Sequence, residues 1–374
     1  MGTSIRSVLA PAAAIAIAIA WQPAMAAVFC ATNEAELRAA LVAIGQSNFD
    51  PAPNEIRLTR RTFFTGAQAF AVEVFGATGD TVISGGWASA GATPCDVQAP
   101  DARLSALDAQ GTSAVLSVRR TSVSNNATPL IRIANLTIRN GGASNAPVGL
   151  SVANAWGSIE IDNVIVHGHR AVDSQFIRGV GIDIDARIDA RLRNALVYDN
   201  VGNFIGGIPL ASVLFTTVAV NGGRNWYVTN STVVSGNAQT EAIRLQADGN
   251  FWTINNILRG RVTYSESITG NPAALPPQVR QLFNNLEALP VLNNATLLQN
   301  IGNSLVDPQY NPLTFELLPT SPLVNAGLGG QTGGISAADV YGRPRTFGSV
   351  VDVGALELQQ PPTLPAAIFA NGFE

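Results

Sequence analysis

Asp183 and Asp185 stand in Gly181-Ile-Asp-Ile-Asp, with an isoleucine before each. Side chains alternate along an extended strand, so both carboxylates share one face, ~6.6–6.8 Å apart. That separation suits an inverting glycosidase, in which one carboxyl group protonates the leaving oxygen and the other activates a water. The same oxygens suit calcium or a sugar hydroxyl, and a solvated strand face needs none of this chemistry. His167 and His169 flank Gly168; a metal there requires a third ligand such as Asp173 or Asp199, and solvated turn histidines are the plainer expectation. The third candidate is aromatic. Tyr227 and Trp252, with Arg191 preceding them, fall at equivalent places of successive repeats, where rings can stack on sugars and a guanidinium can bond their hydroxyls. A loop folded over the two rings would instead make them a satellite core.

A recurring asparagine defines those places. Asn135, Asn163, Asn194, Asn230 and Asn255 each introduce a short apolar run, at spacings of 28, 31, 36 and 25 residues. Short strands at such a period, without helical patterning, predict a β-solenoid. Four residues before the asparagine stand Ile131, Ile159, Ala190, Trp226 and Phe251, and two before it Ile133, Ile161, Leu192, Val228 and Thr253. These columns are expected to face inward. The intervening columns, Arg132, Glu160, Arg191, Tyr227, Trp252 and Ala134, Asp162, Arg193, Thr229, Ile254, are expected to face solvent, with Asp162 beside Arg193. Asparagine tolerates the left-handed bend between strands and can bond its counterpart one coil away, so the five residues predict a structural ladder. A further strand upstream in each coil, as in Gly149-Leu-Ser-Val-Ala and Gly181-Ile-Asp-Ile-Asp, makes three strands per coil. The rule for parallel crossovers makes the helix right-handed.

Composition narrows the setting. Of 374 residues 47% are hydrophobic and 13% charged, which excludes a disordered chain. The 22 cations are all arginine, and a net charge of -4 gives no attraction to nucleic acid or to an anionic membrane surface. Arg6, the apolar run from Val8 to Ala20 and Ala24-Met-Ala26 form a secretory leader cleaved between Ala26 and Ala27, too short in its apolar part to anchor the chain. Export to an oxidising compartment makes one disulfide the simplest reading of the two cysteines, Cys30 and Cys95.

The segment from Phe29-Cys30 to Leu41, then Ile83-Ser-Gly-Gly-Trp87, Cys95 and Leu104 to Asp108, resembles the opening of secreted bacterial pectin-lyase-like β-helix proteins, where a short helix caps the first coil. Asp307-Pro308, Leu318-Pro-Thr-Ser-Pro322-Leu-Val-Asn-Ala-Gly327, Asp339-Val-Tyr-Gly-Arg343-Pro-Arg345 and Val351-Asp352 to Glu357 are similar to the choice-of-anchor Q domain of surface and secreted β-helix proteins. The resemblance implies an extracytoplasmic location and no defined reaction. The ending Gly372-Phe373-Glu374 resembles a short terminal tag on some secreted proteins of Gram-negative bacteria; a frayed tail or a strand docked on the last coil is the alternative.

The expected fold is all-β, a single-stranded right-handed parallel β-helix with three strands per coil and a short N-terminal capping helix. Residues 1–26 read as signal peptide, 27–110 as cap and first coils, 111–357 as β-helix with the choice-of-anchor Q region, and 358–374 as Pro-rich linker and tail. The expected function is non-catalytic: a secreted or cell-surface monomer presenting a face for adhesion or glycan binding, with Tyr227, Trp252 and Arg191 as ligand contacts. The alternative is a divergent polysaccharide lyase or glycoside hydrolase working through Asp183 and Asp185. Enzymes of those folds use an Asn-x-Asp motif, paired aspartates and Gly-His-Gly, or a calcium cluster with an Arg-x-Pro-x-x-Arg segment. This chain offers Gly168-His-Arg170 and Arg343-Pro-Arg345. No cofactor is called for, with calcium on the acidic strand as the alternative, and the expected partners are polysaccharide or a cell-surface component.

Overall fold

The computed structural model describes residues 27–359, apart from 47–51, 77–78, 123–126, 144–147, 172–178, 203–209, 218–223 and 267–275. Residues 1–26, which read as a signal peptide, and the tail from Gln360 onward therefore lie outside the described residues. Each coil contributes one strand to an eight-stranded sheet and a bent path to an 18-stranded sheet that passes round the asparagine corner. In the smaller sheet Leu116–Arg120, Leu150–Asn154, Gly179–Ala186, Leu210–Thr216 and Thr240–Gln246 stack in parallel. In the larger one Leu130–Arg139, Ser158–His167 and Ala190–Gly202 stack through the corner, followed by the pair Asn225–Thr229 and Thr232–Ser235. Three segments per turn, each hydrogen-bonded to the coils above and below, make a parallel β-helix.

The register aligns the columns that the repeated asparagine marks: Ile131, Ile159, Ala190, Trp226 and Phe251 are lateral neighbours, as are Ile133, Ile161, Leu192, Val228 and Thr253. All ten side chains are buried in one continuous core, except that Thr253 enters it as a polar member. Burying a column of this kind stabilises by ~1.5–3 kcal/mol for each large side chain removed from water. The five corner asparagines have φ between 47° and 57°, the left-handed region that makes the bend.

The helix Glu34–Gln46 lays Leu37, Ala40, Leu41 and Ile44 over the first coil. Asn33 starts it: its Oδ1 accepts from Glu36 N at 2.9 Å, while Glu36 reaches back to Thr32 N at 2.7 Å. The Cys30–Cys95 disulfide, with Cα atoms 5.7 Å apart, ties the strand Ala27–Ala31 to the connection between the antiparallel strands Thr81–Ala88 and Val97–Gln98. Closing its 65-residue separation restricts the unfolded chain by about 4 kcal/mol in the entropy model.

Residues 307–357 fold back from the last coil along the outside of the corner. Leu317, Leu323 and Val353 pack on Ile257. Further toward the N-terminus Phe315, Val340, Ala355 and Leu356 pack on Leu196 and Ile165. Tyr341 forms a bridge with Asp101. The cover corrects part of the sequence reading: Ala134, Asp162, Thr229 and Ile254, expected in solvent, are buried. The signal for it is the column two residues after each asparagine, Thr137, Ile165, Leu196, Thr232 and Ile257, which points outward yet is buried throughout.

Candidate functional site

The aromatic candidates lie on the outward face before the corner. Register places Arg132, Glu160, Arg191, Tyr227, Trp252 and Arg280 in one row running along the helix axis, one coil apart, or ~4.8 Å. Arg132 and Glu160 are an ion pair at 3.5 Å, and Arg193 in the neighbouring row binds Asp162 at 2.7 Å and Glu160 at 3.1 Å. This end of the row is electrostatically closed. The other end differs. The Arg191 guanidinium carbon sits 5.4 Å from the Tyr227 ring centre, and among the described residues it has no carboxylate partner. Arg280 lies 4.6 Å over the Trp252 ring and, among the described residues, donates to the amide oxygen of Asn250 at 3.0 Å.

The row has a wall and a polar margin. Gly333 approaches Tyr227 and Thr229, and its carbonyl accepts from Arg193 at 3.4 Å. Ser336 donates to Asp162 at 2.8 Å. On the opposite side Asp189, Asn225 and Asn250 form a second outward row, with Asn225 N bonded to Asp189 at 2.9 Å. The wall corrects one expectation: Tyr227 is 8% exposed, and burial pushes its phenol above the ordinary range. Trp252 and Arg191 remain partly exposed. The indole Nε1 of Trp252 is itself buried and has no hydrogen-bond partner among the described residues.

The acidic pair does point outward from the strand Gly179–Ala186, but Asp183 is 7% exposed rather than solvated. Gly179 N donates to it at 3.4 Å. Its lateral neighbours are Ser151 and Leu214, and those of Asp185 are Ala153 and Thr216, so neither column brings a second acid or base beside the pair. Burial raises the Asp185 carboxyl, against the opposing fields of Arg119 and Arg224.

The histidines are not a solvated pair. His169 is 0% exposed and fills the bend next to two glycines: a Cβ at Gly141 or Gly149 would stand 2.7 Å from its ring, while one at Gly181 would meet Asn200, the residue in the equivalent place one coil on. Its Nδ1 accepts from Gly141 N at 2.8 Å, and its own N donates to Asn200 Oδ1 at 3.2 Å. Burial lowers its pKa to about 3. His167 stacks on Tyr198 with ring centres 4.8 Å apart. Asp199 pairs with Arg170 at 2.9 Å, and Asp173 lies outside the described residues. No group of three or more His, Cys, Asp or Glu suited to a metal occurs among the described residues.

The C-terminal motif residues turn out to be structural. Asp339 accepts from Tyr341 N and Arg343 N and pairs with the Arg343 side chain at 2.7 Å. Glu357 accepts from Phe347 N at 2.9 Å and Asp352 N at 3.0 Å. Arg345, buried, donates to the carbonyls of Asp352 and Gly354. Burial, with Asp352 close by, pushes the Glu357 carboxyl up to about 7. Sequence reasoning quoted these residues as a motif and missed that they clasp the returning segment. Comparison with protein-family models, with curated proteins and with solved structures finds no match for this chain.

Proposed function

We propose that the protein is a non-catalytic, extracytoplasmic β-helix that binds a glycan along the row from Arg191 to Arg280. The observation that carries this reading is the row's open end: two arginines that have no carboxylate partner among the described residues flank two aromatic rings on successive coils, with backbone and amide groups along both margins. A linear polymer laid parallel to the axis would meet the partly exposed indole of Trp252 and guanidinium donors on either side of it. Sugar rings stack on aromatic faces, and arginine donates to their hydroxyl or carboxylate oxygens. The leader-like residues 1–26 and the Cys30–Cys95 disulfide support a secreted or cell-surface location.

An array of plant and bacterial polysaccharides, read for both binding and chain cleavage, tests the function. Trp252→Ala should weaken binding of any ligand found by at least about tenfold, the usual scale for a central aromatic contact, with little change in melting temperature. Because Tyr227 is under the 331–336 wall, Tyr227→Ala should lower stability and is the wrong probe for recognition. A second reading has one observation in its favour: the raised carboxyl of Asp185 is the kind a general acid needs. Cleavage of a polysaccharide, abolished by Asp185→Asn and untouched by Trp252→Ala, replaces the binding reading with the lyase or hydrolase one.

A further inference from the structure

The two ends of the β-helix are finished differently. At the N-terminal end the helix Glu34–Gln46 lays Leu37, Ala40, Leu41 and Ile44 over the core. At the other end the three inward columns of the coil each finish on a leucine. Leu292 succeeds Tyr264, Leu297 succeeds Val279, and Leu305, the residue after the Ser304–Asn285 bridge, succeeds Leu286. Tyr264, Val279 and Leu286 are buried in the core, whereas Leu292 is 39% and Leu305 56% exposed, and Leu297 is only partly covered. Leu298 and Ile301, on the same coil, are 45% and 52% exposed. Among the described residues, Val291–Asn293 and Thr296–Ile301 each pair with one strand only. A bare cross-section of core marks an interface, because the terminal coil of a solenoid needs a cover.

We propose that a second copy of this chain supplies the cover, the two C-terminal coils meeting end to end about a two-fold axis. Residues 288–306 include no Asp, Glu, Lys, Arg or His. Such an end offers a foreign protein no charge to complement, and two copies of it bring no like charges together. A two-fold axis perpendicular to the sheet of Thr296–Ile301 reverses both the strand and the helix axis. The strand then meets its copy antiparallel with the same side chains inward, so Leu297 faces the core of the other copy. The bulge at Leu298 interrupts this edge, so apolar burial rather than a long ladder holds the copies together. With Leu289, 71% exposed, the apolar residues of this end present roughly 500 Å² per copy, and pairing removes about 1,000 Å² from water, the size at which an interface becomes specific. Both copies use the same surface, so the contact closes at two; the helix Glu34–Gln46 leaves no matching face at the other end for a filament.

Sedimentation velocity of the full chain across about 0.1–100 μM tests this. A single monomer–dimer equilibrium is expected, and the amides of Val291–Asn293 and Thr296–Ile301 should gain protection from hydrogen exchange as the dimer forms. Leu298→Arg, at an exposed position near the middle of the edge, should weaken dimerisation at least about hundredfold by setting two like charges across the axis, with the melting temperature of the monomer unchanged. Leu298→Glu should do the same alone, and an equimolar mixture of the two variants should restore pairing as a heterodimer. A chain that stays monomeric over the whole range overturns the proposal, as does a dimer that Leu298→Arg leaves intact. Protection of these amides that is equal at every concentration also overturns it, because the chain would then cover its own end.

Discussion

From Asn135 to Asn194 the corner side chains bond one another coil to coil, at 2.8 Å from Asn163 to Asn135 and 2.8 Å from Asn194 to Asn163. From Ser231 to Asn303 the bonded column is instead the next residue along, whose side chain points into the helix. Ser231 Oγ accepts from Ala195 N at 3.1 Å, Asn256 Oδ1 from Ser231 N at 2.9 Å, and Asn303 Oδ1 from Asn284 N at 2.8 Å. The side-chain amides of Asn256 and Asn284 also link upward, at 2.8 and 3.0 Å. Between the two systems the corner ladder breaks: Asn194 Oδ1 and Asn230 Nδ2 are both buried without a partner among the described residues, although Asn255 still donates to Asn230 at 3.1 Å. Once the inner column carries the polar contacts, the corner itself no longer needs an amide. Phe283 (φ 55°) and Gly302 (φ 66°) take the place of asparagine in the last two coils. The bend is what every coil requires; the ladder can be built on either side of it.

The largest expected effect lies in the inner column. Asn284 accepts from Asn256 and donates to Thr253 O at 2.7 Å and to Asn303 at 3.0 Å, all in the interior. Asn284→Leu should cost about 3–4 kcal/mol in chemical denaturation, because it strands several buried groups at once. A loss below about 1 kcal/mol would remove the inner ladder as a source of stability.

The bend at His169 uses the same grammar as the inner column, a side-chain acceptor for the amide of the coil before. It differs in being titratable. With the folded pKa depressed to about 3 from the ordinary 6.5, the unfolded chain takes up this proton first, so stability falls as pH drops from 6.5 toward 3. His169→Asn, which keeps an acceptor as Asn200 does, should therefore gain on the parent by about 3 kcal/mol between pH 7 and pH 4. Glu357 in the covering segment works the other way. Its folded pKa, raised to about 7 from 4.5, makes the fold favour the proton, so its contribution is lost as pH rises through that window. Glu357→Gln should gain on the parent as pH rises from 4.5 to 7. Paired denaturation curves check both slopes, and parallel profiles for parent and variant would contradict either assignment. Asn194→Leu should come next, at roughly 1–3 kcal/mol, from the strained bend and the lost bonds to Asn163 and to Ala338 O at 2.9 Å.

The corner column was legible in the sequence because asparagine, a period-two pattern and a constant offset all coincide there, and the outward row of Arg132, Glu160 and Arg191 followed from the same alignment. The inner ladder was present too, as the doublets Asn255-Asn256 and Asn284-Asn285, but a second polar residue inside a core reads as a flaw until its neighbours are known. Burial on the outer faces was not legible. Alternation tells which way Tyr227, Asp162 and Asp183 point, and it says nothing of what lies beyond them. For Tyr227 and Asp162 that is a segment more than a hundred residues later in the chain, anchored through Gly333 and Ser336. His169 stayed hidden for a related reason: its cavity is made by Gly141 and Gly149, twenty or more residues earlier in the chain, and no local pattern links them to it.

The smallest expected effect falls at the break itself. Asn230 keeps one ladder bond, from Asn255, while its own Nδ2 is buried and unbonded, so its side chain both contributes and costs. Glycine reaches φ of 47° without a Cβ penalty and removes the orphaned donor, against which stand one lost hydrogen bond and the greater freedom of glycine in the unfolded chain. Asn230→Gly should therefore change stability by less than about 1 kcal/mol, whereas the same change at Asn163, which donates to Asn135 and accepts from Asn194, should cost more. Matched denaturation of the two variants isolates the ladder from the bend, since glycine satisfies the bend equally at both. Equal losses at the two positions would mean that the amide chain contributes nothing and that the left-handed corner alone explains the asparagines.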